Sequence, residues 1–118
     1  MPKILVIEDM PESADLAAQI LRRYGHEVLI ASNADKGLDL AAEFFPDLII
    51  CDYWLPELDA RALLKKLRKN KELKNIKVVV CSAAFKQELN QGDEHFDGFI
   101  SKPYRLSSFM QTVEQQLS

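Results

Sequence analysis

The apolar positions of this chain fall into short unbroken runs separated by longer stretches of helical period. Leu48, Ile49, Ile50 and Cys51 follow one another and lead straight into Asp52; Pro56 then blocks an immediate helix. A run of this kind, with no alternation, fits a strand buried on both faces, as in parallel sheets. Lys3–Ile7 is a second such run and ends in Glu8 and Asp9. Glu27–Ala31, Ile76–Cys81 and Gly98–Ser101 read as the remaining strands. Between them lie the helical patterns. Pro11 and Ser13 open one whose face is Ala14, Ala17, Ile20, Leu21 and Tyr24, closed by Gly25. Asn33 is an N-cap for a helix through Phe44 with Ala34, Leu38, Ala41, Ala42 and Phe45 on one face, ended by Pro46. Asp59 caps a third carrying Leu63, Leu64 and Leu67, and Phe109, Met110, Val113 and Leu117 line a last one. Residues 83–96 fit neither period.

Strand and helix alternate five times. That order predicts a parallel sheet with helices on both faces and right-handed crossovers. The expected fold class is α/β: a doubly wound (βα)5 unit, flavodoxin-like, with strand order 2-1-3-4-5 and a short or irregular fourth helix. At 118 residues the chain reads as a single domain, 1–118.

Fifteen basic against eighteen acidic residues give a net charge of −3, which speaks against general nucleic-acid binding. The few positions before Glu8 are too short for a signal peptide, and no run approaches a membrane span. With Cys51 and Cys81 inside apolar runs, the expectation is a cytoplasmic protein with reduced, buried thiols. His26 and His95 lack partners at metal-ligand spacing.

In the predicted topology the strand ends converge on one crevice, which collects Glu8, Asp9, Asp52, Ser82 and Lys102. Three neighbouring carboxylates repel unless a cation joins them. Carboxylates with a phosphate are the habit of Mg²⁺, while a lysine and a hydroxyl suit phosphoryl oxygens. An aspartate nucleophile in that company can take up a phosphoryl group. Taken one at a time, each residue has a plainer reading: a turn or cap aspartate, a solvated acidic pair, a turn hydroxyl, a surface lysine.

The assembled motifs, in this order along the whole chain, resemble the receiver domain of two-component response regulators, in a stand-alone, chemotaxis-regulator-like form. The resemblance implies that Asp52 is the phosphoacceptor and that Asp9 ligates Mg²⁺ directly. Glu8 would act through water, and the backbone carbonyl of Trp54 would be a further ligand. It also implies that Ser82 and Phe99 form the switch and that Lys102, joined to Pro103 by a cis bond, holds a phosphoryl oxygen. The donor would be a histidine kinase, a phosphotransfer domain or a small acyl phosphate, and the output a surface for a downstream protein. Such a domain modifies itself and is not an enzyme on an outside substrate. Nucleic acid and membrane are not expected as direct partners. The alternative is a pseudo-receiver, a phosphorylation-independent interaction scaffold. Three departures from the family pattern bear on the output face: Ala60 in place of a glycine, a shortened polar span before Lys102, and His95–Phe96 ahead of the last strand.

Residues 61–77 hold eight of the fifteen basic residues and one acid, giving +7 against −10 for the remainder. The plain reading is a solvated helix face; the sharper one is a docking patch for an acidic partner. If it docks, changing Lys65, Lys66 and Lys69 to Glu weakens partner binding and flattens its salt dependence; unchanged binding removes the idea.

Overall fold

The computed structural model describes residues 1–82 and 95–118. Five strands run β1 (Lys3–Ile7), β2 (Glu27–Ala31), β3 (Leu48–Asp52), β4 (Lys77–Ser82) and β5 (Gly98–Ser101). They form one parallel sheet in the order β2-β1-β3-β4-β5. Among the described residues there are four helices: α1 (Pro11–Arg23), α2 (Ala34–Phe44), α3 (Ala60–Lys69) and α4 (Leu106–Leu117). The doubly wound α/β expectation holds. The short or irregular helix expected between β4 and β5 falls in 83–94, outside the described residues.

Each strand residue faces the side opposite to its neighbours, so the unbroken apolar runs feed two separate cores. One lies under α2 and α3 and contains Leu5, Ile7, Ile49, Val78, Val80 and Phe96. The other lies under α1 and α4 and contains Ile4, Val6, Ile50, Val79, Cys81 and Phe109. Cys51 and Cys81 lie on neighbouring strands but belong to opposite cores, and both are free thiols.

Most local signals translate directly. The Asn33 side chain accepts from Lys36 N at 2.8 Å, and Asp59 Oδ1 accepts from Ala62 N at 2.9 Å. α1 begins with Pro11 and has Arg22 and Arg23 in its last turn, matching the helix dipole. Three expected face positions are corrected. Tyr24 is the C-cap of α1 and 54% exposed. Phe45 is the C-cap of α2 with φ of 50° and is 49% exposed. Ala42 is exposed as well. Both aromatics follow the apolar period one step past the helix end, where the backbone turns them outward. Ala18 and Gly37, not counted in either face, are buried. A Cβ on Gly37 would collide with the side chain of Ile7, so the glycine lets α2 approach β1 closely. Strand β4 starts one residue later than expected and ends on Ser82.

The basic segment divides. Lys65, Lys66, Lys69, Lys71, Lys74 and Lys77 are exposed, whereas Arg68 is structural. Arg68 Nη1 donates to the carbonyls of Lys74 (2.9 Å) and Ile76 (2.7 Å), and Nη2 pairs with Asp97 Oδ2 at 3.0 Å. The same Asp97 oxygen accepts from Val78 N at 2.8 Å, and the Asp97 carbonyl accepts from Gln116 at 2.9 Å. These bonds tie α3, the start of β4, the approach to β5 and α4 at the end of the sheet away from Asp52. Replacing Arg68 by Ala should cost about 1–2 kcal/mol, because a partly exposed charge-assisted cluster loses its donor. A fall in the urea midpoint with an unchanged m-value checks it.

Candidate functional site

Parallel register brings the candidate residues together. Ile7 pairs with Cys51, so Glu8 and Asp9 lie beside Asp52, the last residue of β3. Glu8 N donates to Ala31 O at 3.0 Å, which extends the β1–β2 ladder and fixes the Glu8 backbone. On the other side Ser82 pairs with Ser101, and Lys102 N donates to Ser82 O at 3.1 Å. The Lys102–Pro103 peptide is cis, as the resemblance implies.

Lys102 Nζ lies 3.0 Å from Asp52 Oδ1 and 3.0 Å from Glu8 Oε1, bridging two carboxylates from different strands. The Glu8 side chain is 7% exposed, that of Asp52 15% and that of Lys102 31%. Burial alone would lower the Lys102 pKa, but hydrogen bonds to Asp52 and Glu8 outweigh it and raise the ammonium to about 12. Glu8 is raised above the usual carboxylate range, chiefly by burial, with the Lys102 hydrogen bond opposing and the Asp52 charge assisting.

Ligand atoms of Glu8, Asp9 and Asp52 all lie within 4.8 Å of one another. Glu8 Oε2 is buried and has no hydrogen-bond partner among the described residues. An orphaned carboxylate oxygen within an all-oxygen cluster is the donor set of a hard divalent cation, so these residues fit Mg²⁺.

Ser82 ends β4 at 4% exposure. Phe99 is half-buried against the α2/α3 core, edge-on to Phe96 with ring centroids 6.3 Å apart. Trp54 follows Asp52 by two residues; its ring is 68% exposed and meets Tyr53 edge-on at 4.9 Å. The turn carrying it is fixed by Tyr53 N donating to Cys81 O and Ala60 N donating to Tyr53 O, both at 3.0 Å.

Over residues 4–114 the sequence matches the response regulator receiver domain. The chain belongs to that family. It is 33% identical to the polar-differentiation response regulator DivK of Brucella anthropi, over 99% of this chain and 98% of that protein. It is also 33% identical to the DNA-binding dual master transcriptional regulator RpaA of Synechocystis, covering 99% of this chain but 49% of that protein. The chain thus spans about half the length of one curated relative and nearly all of the other. In fold it superposes on the chemotaxis response regulator CheY4 of Vibrio cholerae with a TM-score of 0.90 at 22% identity, covering 99% of each chain. Receiver domains of this family are signalling domains and bind Mg²⁺ at an acidic pocket.

Two residues gain a place that the sequence did not assign. Tyr104 stacks on Phe109 with centroids 4.7 Å apart, beside Lys102, and burial raises its phenol pKa. His26 is 6% exposed, and its Nε2 lies 3.1 Å from Glu114 Oε1, fastening α4 to the turn before β2. Only the Lys-Pro-Tyr sequence offered a signal for the first; no local signal links residues 26 and 114. Both thiols are buried, and burial pushes Cys51 well up and Cys81 to about 12. The folded protein should therefore react with iodoacetamide at pH 8 at least about 100-fold more slowly than the urea-unfolded chain. Thiol labelling followed by intact mass checks it; equal rates would contradict the burial.

Proposed function

We propose that residues 1–118 act as a single phosphoacceptor unit in which Asp52 takes a phosphoryl group from a histidine kinase, a phosphotransfer domain or a small acyl phosphate. The observation that carries this reading is the Lys102 ammonium 3.0 Å from both Asp52 and Glu8 at the ends of adjacent strands. Asp9, Asp52, the Trp54 carbonyl and, through water, Glu8 would hold Mg²⁺, which when bound neutralises charge on the phosphoryl oxygens.

The chain's own groups supply the rest. An Asp52 carboxylate oxygen attacks phosphorus while the donor's bond breaks on the opposite side. Strand register, not a flexible loop, sets where that carboxylate stands, so positioning costs little at the moment of reaction. Lys102 exchanges its carboxylate contact for a phosphoryl oxygen, and the Ser82 hydroxyl donates to another. Ser82 is the last residue of β4, with Phe99 on the neighbouring strand β5. A pull on Ser82 would shift a two-state equilibrium in which Phe99 changes its packing, presenting a new surface to a downstream protein. Free, buried thiols support a cytoplasmic setting.

Trp54 provides the test. Its fluorescence should respond once to Mg²⁺ and again to acetyl phosphate, with a mass gain of one phosphoryl group on the intact protein. Asp52→Ala should abolish the second response and the mass gain. A wild-type protein that binds Mg²⁺ but gains no mass from acetyl phosphate or from a phosphorylated histidine-containing donor protein would overturn the phosphoacceptor reading in favour of the scaffold.

A further inference from the structure

Helices α2 and α3 cover the same core and touch one another. They also share a helical phase. The first, fourth and eighth residues of each are buried: Ala34, Gly37 and Ala41 in α2, and Ala60, Leu63 and Leu67 in α3. The second, sixth and tenth residues of each are charged, with opposite sign. In α2 they are Asp35, Asp39 and Glu43, all exposed; in α3 they are Arg61, Lys65 and Lys69, with both lysines exposed. Spaced four apart, each set forms a stripe turned away from the sheet. The stripes lie at matching heights. Ala31 and Cys51 both pair with Ile7; α2 starts three residues after Ala31, and Ala60 N donates to Tyr53 O two residues after Cys51. α2 carries one base, Lys36, at the end away from Glu43, so the opposition is clearest at the sixth and tenth positions. Among the described residues none of Asp39, Glu43, Lys65 and Lys69 is in an ion pair.

We propose that two copies of the chain dimerise through this face, with α2 of each lying against α3 of the other. A charge pattern repeated with inverted sign on neighbouring helices is self-complementary, as an isologous two-fold contact requires. A two-fold axis parallel to the helices and between them sets Asp39 and Glu43 opposite Lys65 and Lys69 of the second copy, and repeats both pairs in reverse. An axis across the helices would set acid on acid, so charge fixes the orientation as well. A foreign acidic surface would satisfy α3 but meet the acids of α2 beside it; a second copy satisfies both helices. Exposed ion pairs are individually weak, so the contact needs both pairs and their symmetry mates at once and is sensitive to salt.

Sedimentation equilibrium of the full chain at roughly 0.2 mM tests this in about 10 mM salt, where charges act over about 30 Å, and in about 1 M salt, where they act over about 3 Å. The dimer should form in the first, and its dissociation constant should rise at least about tenfold in the second. Lys65→Glu with Lys69→Glu makes the sixth and tenth positions acidic on both helices; Asp39→Lys with Glu43→Lys makes them basic on both. Each double variant should sediment as a monomer in low salt. Mixed together, the two should form a one-to-one heterodimer, and a chain carrying all four changes should dimerise again, neither of which a misfolded variant would do. A wild type that stays monomeric in low salt overturns the proposal and leaves α3 to a foreign acidic protein. Dimers that survive either double change, or double variants that stay monomeric when mixed, overturn it as well.

Discussion

Glu8, Asp9 and Asp52 crowd the ends of two adjacent strands, and among the described residues Lys102 is the cation bonded to them. Two unit charges 4 Å apart near a protein surface interact by about 4 kcal/mol. That compares with a whole-domain stability of roughly 5–15 kcal/mol. The crowding is therefore a large local cost, and the remainder of the molecule has to hold it in place. Lys102 offsets part of it from a third direction, and a divalent cation would offset more.

The sheet does the holding. Ile7 against Cys51 and Asp52 against Cys81 set the carboxylates side by side, and Ser82 against Ser101 delivers Lys102 to face them. None of these positions depends on a long loop. The three central strands β1, β3 and β4 carry buried apolar side chains on both faces, so sliding by one residue would exchange the two cores and bury charge. Fully apolar strands thus give the site its rigidity as well as the protein its stability.

Much of this was legible in the sequence because the signals were local. Unbroken apolar runs such as Leu48–Cys51 identify buried parallel strands, and Asn33 and Asp59 announce helix starts through bonds made within three residues. Strand order then followed from alternation, and with it the meeting of Glu8, Asp9, Asp52, Ser82 and Lys102. Helix ends were less legible. Tyr24 and Phe45 continue the apolar period, but the cap geometry that turns them outward leaves no mark in the period. Pairings across long separations were not legible at all. Lys102 with Glu8 spans 94 residues and His26 with Glu114 spans 88, so each exists only because the chain is already folded.

The two cores touch different helices and share only the strand backbones. Leu5, Ile7, Ile49 and Val80 look toward α2 and α3, while Ile4, Val6, Ile50 and Val79 look toward α1 and α4. Paired substitutions placed on opposite faces, more than about 10 Å apart and without shared partners, have effects on stability that add. One face can accordingly accumulate changes that suit a new partner while the other keeps its packing, with the strand ends the one place where both histories have to agree.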